Sequence, residues 1–109
     1  MSLDISLMIP PVDAVEVGSF NITHNLTEMA GACELYSALW HPETVNIRRA
    51  WQLIGPLEKG LQLLEADPER FEQFNPANGW GDYHGFVRFV KELLEKCEEF
   101  PHAEVRVRG

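Results

Sequence analysis

Two histidines lie where the sequence predicts the start of a helix. His24 precedes Asn25, the predicted N-cap of a first helix, and His84 follows Asp82, the predicted N-cap of the last helix. A helix N-terminus disfavours imidazolium, and a neutral ring can act as a general base or a metal ligand. If the two helix starts meet, their N–H groups could bind an anion, or both rings and Asp82 could hold a divalent metal.

The alternative is that each histidine ring only hydrogen-bonds near its own helix cap. The spacing of His24, Asp82 and His84 matches no zinc motif. We therefore favour this structural interpretation, and we expect no bound metal.

A second polar set lies just before the first predicted helix. Asn21, Thr23 and Asn25 alternate with apolar residues, so on a strand they share one face. Their amide and hydroxyl groups could bind a polar ligand there. The favoured alternative is a solvated strand face that ends in a helix cap.

The segment 75–85 (NPANGWGDYHG) is a turn-dense loop that carries two large aromatic residues. Because such loops normally have little apolar surface, Trp80 and Tyr83 predict a loop that folds back and packs, anchored by Trp80. As a phosphate-binding loop it is weak, since it lacks a lysine and the G-x-G-x-x-G spacing. The full set of candidate ligand-binding residues is Asn21, Thr23, His24, Asn25, Trp80, Asp82, Tyr83 and His84.

Common catalytic signatures are absent from the sequence. It contains no G-x-S-x-G, no H-E-x-x-H and no Cys–His nucleophile pattern. Cys33 and Cys97 lack metal-site spacing and fall on apolar helix faces, which predicts buried, reduced thiols. No catalytic residue and no cofactor follow from the sequence.

The chain is acidic, with a formal net charge of −8 over 109 residues. This charge argues against non-specific nucleic-acid binding and against docking on an anionic membrane. There is no apolar run long enough for a membrane span and no signal-peptide pattern, so the sequence predicts a cytoplasmic protein. Its length predicts a single domain over 13–109, preceded by an arm or short strand over 1–12.

The spacing of apolar residues predicts an α+β fold. We expect strands over 14–23, with a bulge at Gly18, and over 104–108, with Val105 and Val107 inward. Helices are predicted over 25–40, 56–66, 68–74 and 82–99, with a further short helix ending before Gly55-Pro56. The alternative at Pro56 is one helix that continues through the proline with a kink. These elements predict a two- or three-stranded antiparallel sheet covered on one face by about four helices. The clearest helical pattern is Phe86, Phe89, Val90, Leu93, Leu94 and Cys97.

Four segments resemble a group of small uncharacterised bacterial proteins, including proteins from prophage regions. They are 21–26 (NITHNL), 39–43 (LWHPE), 67–71 (DPERF) and 75–83 (NPANGWGDY). The resemblance covers about residues 14–108. It implies a shared fold and no known activity.

These observations favour a non-catalytic protein-interaction module that binds a partner protein or a second copy. Its expected anchor residues are Trp40, Trp51 and Trp80, because aromatic residues supply much of the binding energy at interfaces. The alternative is a small-ligand or metal-binding domain, hydrolytic enzymes included, that uses His24, Asp82 and His84. A third hypothesis is an acidic mimic of nucleic acid.

Overall fold

The computed structural model describes residues 1–9 and 15–109, and within them it confirms the predicted α+β fold. Three strands form one antiparallel sheet, and five α-helices accompany it. Short 3₁₀ turns lie at His24–Leu26 and Pro42–Val45. The elements are β1 (Ser2–Ile9), β2 (Val15–Thr23), α1 (Thr27–Ala32), α2 (Tyr36–Trp40), α3 (Ala50–Ala66), α4 (Pro68–Glu72), α5 (Tyr83–Glu99) and β3 (Glu104–Arg108). Across the described residues, no helix has the length and apolar character that crossing a bilayer requires.

The sheet has the order β2-β1-β3, so that the first strand is central. Residues 1–12 were predicted as an arm or a short strand; residues 2–9 form β1, and 10–12 lie outside the described residues. Leu3, Ile5 and Leu7 of β1 are buried on the face that the helices cover. Val105 and Val107 of β3 pack against the same core, as predicted.

β2 contains the expected irregularity, one residue from its predicted position. Leu7 pairs with Gly18, whereas Met8 pairs with Glu16, so Val17 is the extra residue of a β-bulge. The predicted start of this strand, residue 14, lies outside the described residues.

Helix α5 matches its sequence pattern closely. The carboxylate of Asp82 caps it by accepting a hydrogen bond from the Gly85 backbone N–H at 2.7 Å. The apolar residues of this helix face the core, where Leu93 is fully buried and Leu94 partly buried. Cys97 on the same side is a buried free thiol, as predicted.

The single helix predicted over 25–40 is wrong, because a left-handed residue divides it. Glu34 has φ +66°, and the N–H groups of Glu34 and Leu35 donate to the carbonyls of Gly31 and Ala30. This is the arrangement that commonly ends a helix at a glycine, but glutamate occupies the position here. Asn25 is not the cap either: its N–H donates to the Thr23 hydroxyl, at 3.2 Å.

The predicted break at Gly55-Pro56 is also wrong, since α3 runs continuously from Ala50 to Ala66. A proline normally forces the residue before it out of helical geometry, partly because the Cδ of the proline clashes with the Cβ of that preceding residue. Gly55 has no Cβ, so this part of the steric conflict does not arise. Further along α3, Gly60 allows close packing, because a Cβ there would lie 2.5 Å from Cδ1 of Leu35.

Candidate functional site

A glycine allows the loop before α5 to lie against the end of β2. Gly79 and Gly81 have φ values of +78° and +94°, which side-chain-bearing residues rarely adopt. A Cβ on Gly81 would lie 2.8 Å from Cγ2 of Thr23 and 3.0 Å from Cδ1 of Leu26. The loop can therefore approach the end of the sheet this closely only because residue 81 is glycine.

Tyr83, and not Trp80, anchors this loop. The Tyr83 hydroxyl donates to the carbonyl of Leu64 at 2.6 Å, and its backbone N–H donates to Oδ1 of Asn75 at 2.7 Å. Burial raises the pKa of the Tyr83 hydroxyl. Trp80 is instead 71% exposed, so the prediction that it packs inward is wrong. Oδ1 of Asn78 accepts the Trp80 backbone N–H at 2.9 Å, and this fixes the backbone that carries the indole.

Four of the eight candidate residues meet around one cavity. It has a volume of about 400 Å³ and lies where the loop reaches the end of β2. Its lining residues are Met1, Ser2, Asn21, Thr23, Asn25 and Trp80. The polar set and the indole of the loop therefore share a single surface; below we call it the Trp80 cavity.

The two histidines do not join this group. Nδ1 of His24 accepts a hydrogen bond from Nε1 of Trp40 at 2.8 Å, because an indole N–H can only donate. His84 is exposed, with its Nε2 3.7 Å from Oε1 of Glu72. Asp82 is engaged as the helix cap. Among the described residues, no three His, Cys, Asp or Glu side chains lie close enough to hold a metal ion.

Three tryptophans were expected as exposed anchor residues, and this prediction is wrong for Trp40, whose side chain is only 7% exposed. Trp51 and Val45 are exposed, by 54% and 47%, and they lie beside a groove of about 590 Å³. The groove runs between the turn at Pro42–Val45 and α3. Its residues are Glu34, Ser37, Ala38, Val45, Asn46, Ile47, Trp51, Gln52, Gly55 and Pro56; below we call it the Trp51 groove.

Hydrogen bonds at the start of α3 hold Trp51 in place. Its backbone N–H donates to the carbonyl of Pro101 at 2.9 Å. Oε1 of Gln52 accepts the backbone N–H groups of Arg48 and Arg49, at 2.7 and 2.9 Å. This is the glutamine half of a capping box, and it fixes the first turn of the helix. The indole is therefore presented from a rigid element.

The chemistry of the Trp51 groove suits binding better than catalysis. Its acidic residue is Glu34, whose carboxylate pairs with Nζ of Lys59 at 3.1 Å. Its remaining side chains are apolar or neutral, and the Glu34 carboxylate makes its hydrogen bond with Lys59 and not with the hydroxyl of Ser37. The sequence indicated Trp51 but not the groove. Gly55 and Pro56 line the groove as part of the continuous helix α3, whereas the sequence predicted a helix break at these two residues.

No protein-family model, no curated protein and no solved structure matches this chain. The resemblance to small bacterial proteins therefore stays a prediction. The Trp51 groove and the Trp80 cavity are the two candidate binding sites of the described residues.

Proposed function

We propose that this protein is a non-catalytic interaction module whose Trp51 groove receives an apolar side chain of a partner protein. The observation that carries the proposal is the 54% exposed indole of Trp51 beside a groove of about 590 Å³. Tryptophan is enriched among the residues that dominate binding energy, particularly where it borders a well-packed pocket. Val45 and Pro56 add apolar surface to the lining of the groove.

Charge indicates which partner fits the groove. A second copy would bring another net charge of −8, and this repulsion opposes self-association. A partner segment with an apolar side chain flanked by lysine or arginine would fill the groove and complement the net negative charge of the chain. We accordingly expect a basic protein partner and a monomer in its absence. The proposed compartment is the cytoplasm, where Cys33 and Cys97 stay reduced.

The test compares two single tryptophan variants in affinity capture followed by mass spectrometry. Trp51→Ala should capture at least about tenfold less of a partner that the native protein retains. Trp80→Ala is the matched control: it removes a still more exposed indole outside the groove, so it should retain that partner. Circular dichroism establishes that both variants are folded.

Two results would contradict the proposal. One is that Trp51→Ala captures the same proteins in the same amounts as the native chain. The other is that light scattering shows a stable dimer that Trp51→Ala dissociates, which would make a second copy the occupant of the groove.

A further inference from the structure

The indole of Trp80 is presented to solvent by a loop that does not need it for packing. Tyr83 supplies the buried anchor, with its hydroxyl 2.6 Å from the carbonyl of Leu64. The positive φ angles of Gly79 and Gly81 and the hydrogen bond from Asn78 fix the backbone on both sides of Trp80. A large aromatic surface held in this way is suited to stacking against a ligand.

The wall of the Trp80 cavity next to the indole includes an oriented amide. Nδ2 of Asn21 donates to Oγ of Ser2 at 2.9 Å and to Oδ1 of Asp4 at 2.7 Å. Both hydrogens of this amide are then used, which leaves the Asn21 carbonyl oxygen as an acceptor. Asp4 thus orients Asn21, although it is not itself one of the residues that line the cavity.

Two hydroxyl groups on the same wall are left to donate. Oγ of Ser2 accepts from Asn21, and Oγ1 of Thr23 accepts the backbone N–H of Asn25 at 3.2 Å. Each hydroxyl accepts in these bonds, so its own hydrogen can be given to a ligand. The exposed amide of Asn25 adds a further donor and acceptor at the rim.

From this arrangement we infer that the Trp80 cavity binds an uncharged saccharide. Sugar hydroxyls donate and accept together, which matches a wall that offers both donors and an acceptor. The C–H face of a pyranose ring is apolar and can lie against the indole. None of the side chains that line the cavity is ionised, and a volume of about 400 Å³ lies within the usual range for small-molecule sites. This inference concerns a different site from the Trp51 groove, so either proposal can fail alone.

Titration of the ¹⁵N-labelled full chain with neutral disaccharides tests the inference. The probes are maltose, cellobiose and N,N′-diacetylchitobiose, and adenosine monophosphate serves as the comparison, because bases also stack on aromatic rings. We expect at least one disaccharide to give saturable shifts of the Trp80 indole N–H and the Asn21 amide. The Trp51 indole N–H should not move.

Variants then separate the stacking surface from the polar wall. Trp80→Ala should weaken disaccharide binding at least about tenfold, and Asn21→Ala should weaken it as well. Trp51→Ala is the matched control and should leave the affinity unchanged. The proposal is overturned if no disaccharide gives saturable shifts, if only adenosine monophosphate binds, or if Trp80→Ala binds the disaccharide as tightly as the native chain.

Discussion

The close contact between α3 and the start of α2 can be tested by adding a single methyl group. Gly60 lies on the buried side of α3, and a Cβ there would be 2.5 Å from Cδ1 and 2.6 Å from Cγ of Leu35. Leu35 is fully buried, and because protein cores are close-packed we expect little room into which it could turn. We predict that Gly60→Ala destabilises the protein even though alanine is the better helix former.

Two opposing terms set the size of this effect. Alanine in place of glycine inside a helix contributes about 1 kcal/mol of stability. Overpacking a filled core costs about 1–3 kcal/mol, and the contact with Cγ favours the upper part of that range. The net loss in free energy of unfolding should be about 1–2 kcal/mol. Gly31→Ala in α1 is the matched control: its new Cβ meets no atom within 4 Å, so it should be neutral or stabilising.

Urea denaturation followed by circular dichroism measures both changes, and a double-mutant cycle identifies their cause. Leu35→Ala alone should cost about 2–5 kcal/mol. In that background Gly60→Ala should become stabilising, because the new methyl group enters space that Leu35 has left. The reasoning is refuted if Gly60→Ala stabilises the native background, or if its effect is the same in both backgrounds.

Other variants test the core and the helix cap. Leu93→Ala should cost about 2–5 kcal/mol in urea denaturation, and Leu94→Ala clearly less, because only Leu93 is fully buried; equal losses would contradict the face assignment. Asp82→Ala should cost about 0.5–2 kcal/mol through loss of the α5 cap, and an unchanged midpoint would count against that role. Burial raises the pKa of Cys33 and Cys97 from 9.0 to about 12, so thiol titration should be slow in the native state and fast for both groups after unfolding. The same shift predicts that stability falls as pH rises from about 9 towards 12, since the unfolded thiols ionise first; a flat profile would contradict it.

Elements that depend on local signals were predictable from the sequence. The Asp82 cap and the helical spacing of apolar residues specify α5, and Asp67 with Pro68 specifies the start of α4. In each case the signal and the structure lie within one or two turns of chain. Strand β3 was likewise specified by the alternation of its two valines.

Where prediction failed, a residue departed from its usual role. Glu34 occupies a left-handed position that normally holds glycine, so no sequence signal marked the end of α1. A proline usually ends or kinks a helix, but α3 continues through Pro56, where the glycine before it removes one part of the steric conflict. Neither outcome is contained in the spacing of the apolar residues, from which the helix boundaries were predicted.

The candidate site was predictable from the sequence only in part. Alternation predicted that Asn21, Thr23 and Asn25 share a strand face, and Asn21 and Thr23 do lie on β2 and line one cavity. The placement of Asn25 on the strand is wrong, since it lines the same cavity from the 3₁₀ turn that follows β2. That Trp80 would join them depends on the contact of Gly81 with the end of β2, which is a long-range feature. The partner of His24 is Trp40, sixteen residues away and beyond a helix end that the sequence did not reveal.

The central position of β1 has a consequence for synthesis on the ribosome. The chain order allows β1 to pair with β2 once both have been made, but the other edge of β1 pairs with β3, where Asp4 is opposite Arg108. Until residues 104–108 emerge, the nascent chain carries an unpaired strand edge that can pair with other chains. A ribosome that stalls before residue 104 would release a polypeptide with that edge still open. Chaperone protection of that edge therefore matters for as long as β3 has not emerged.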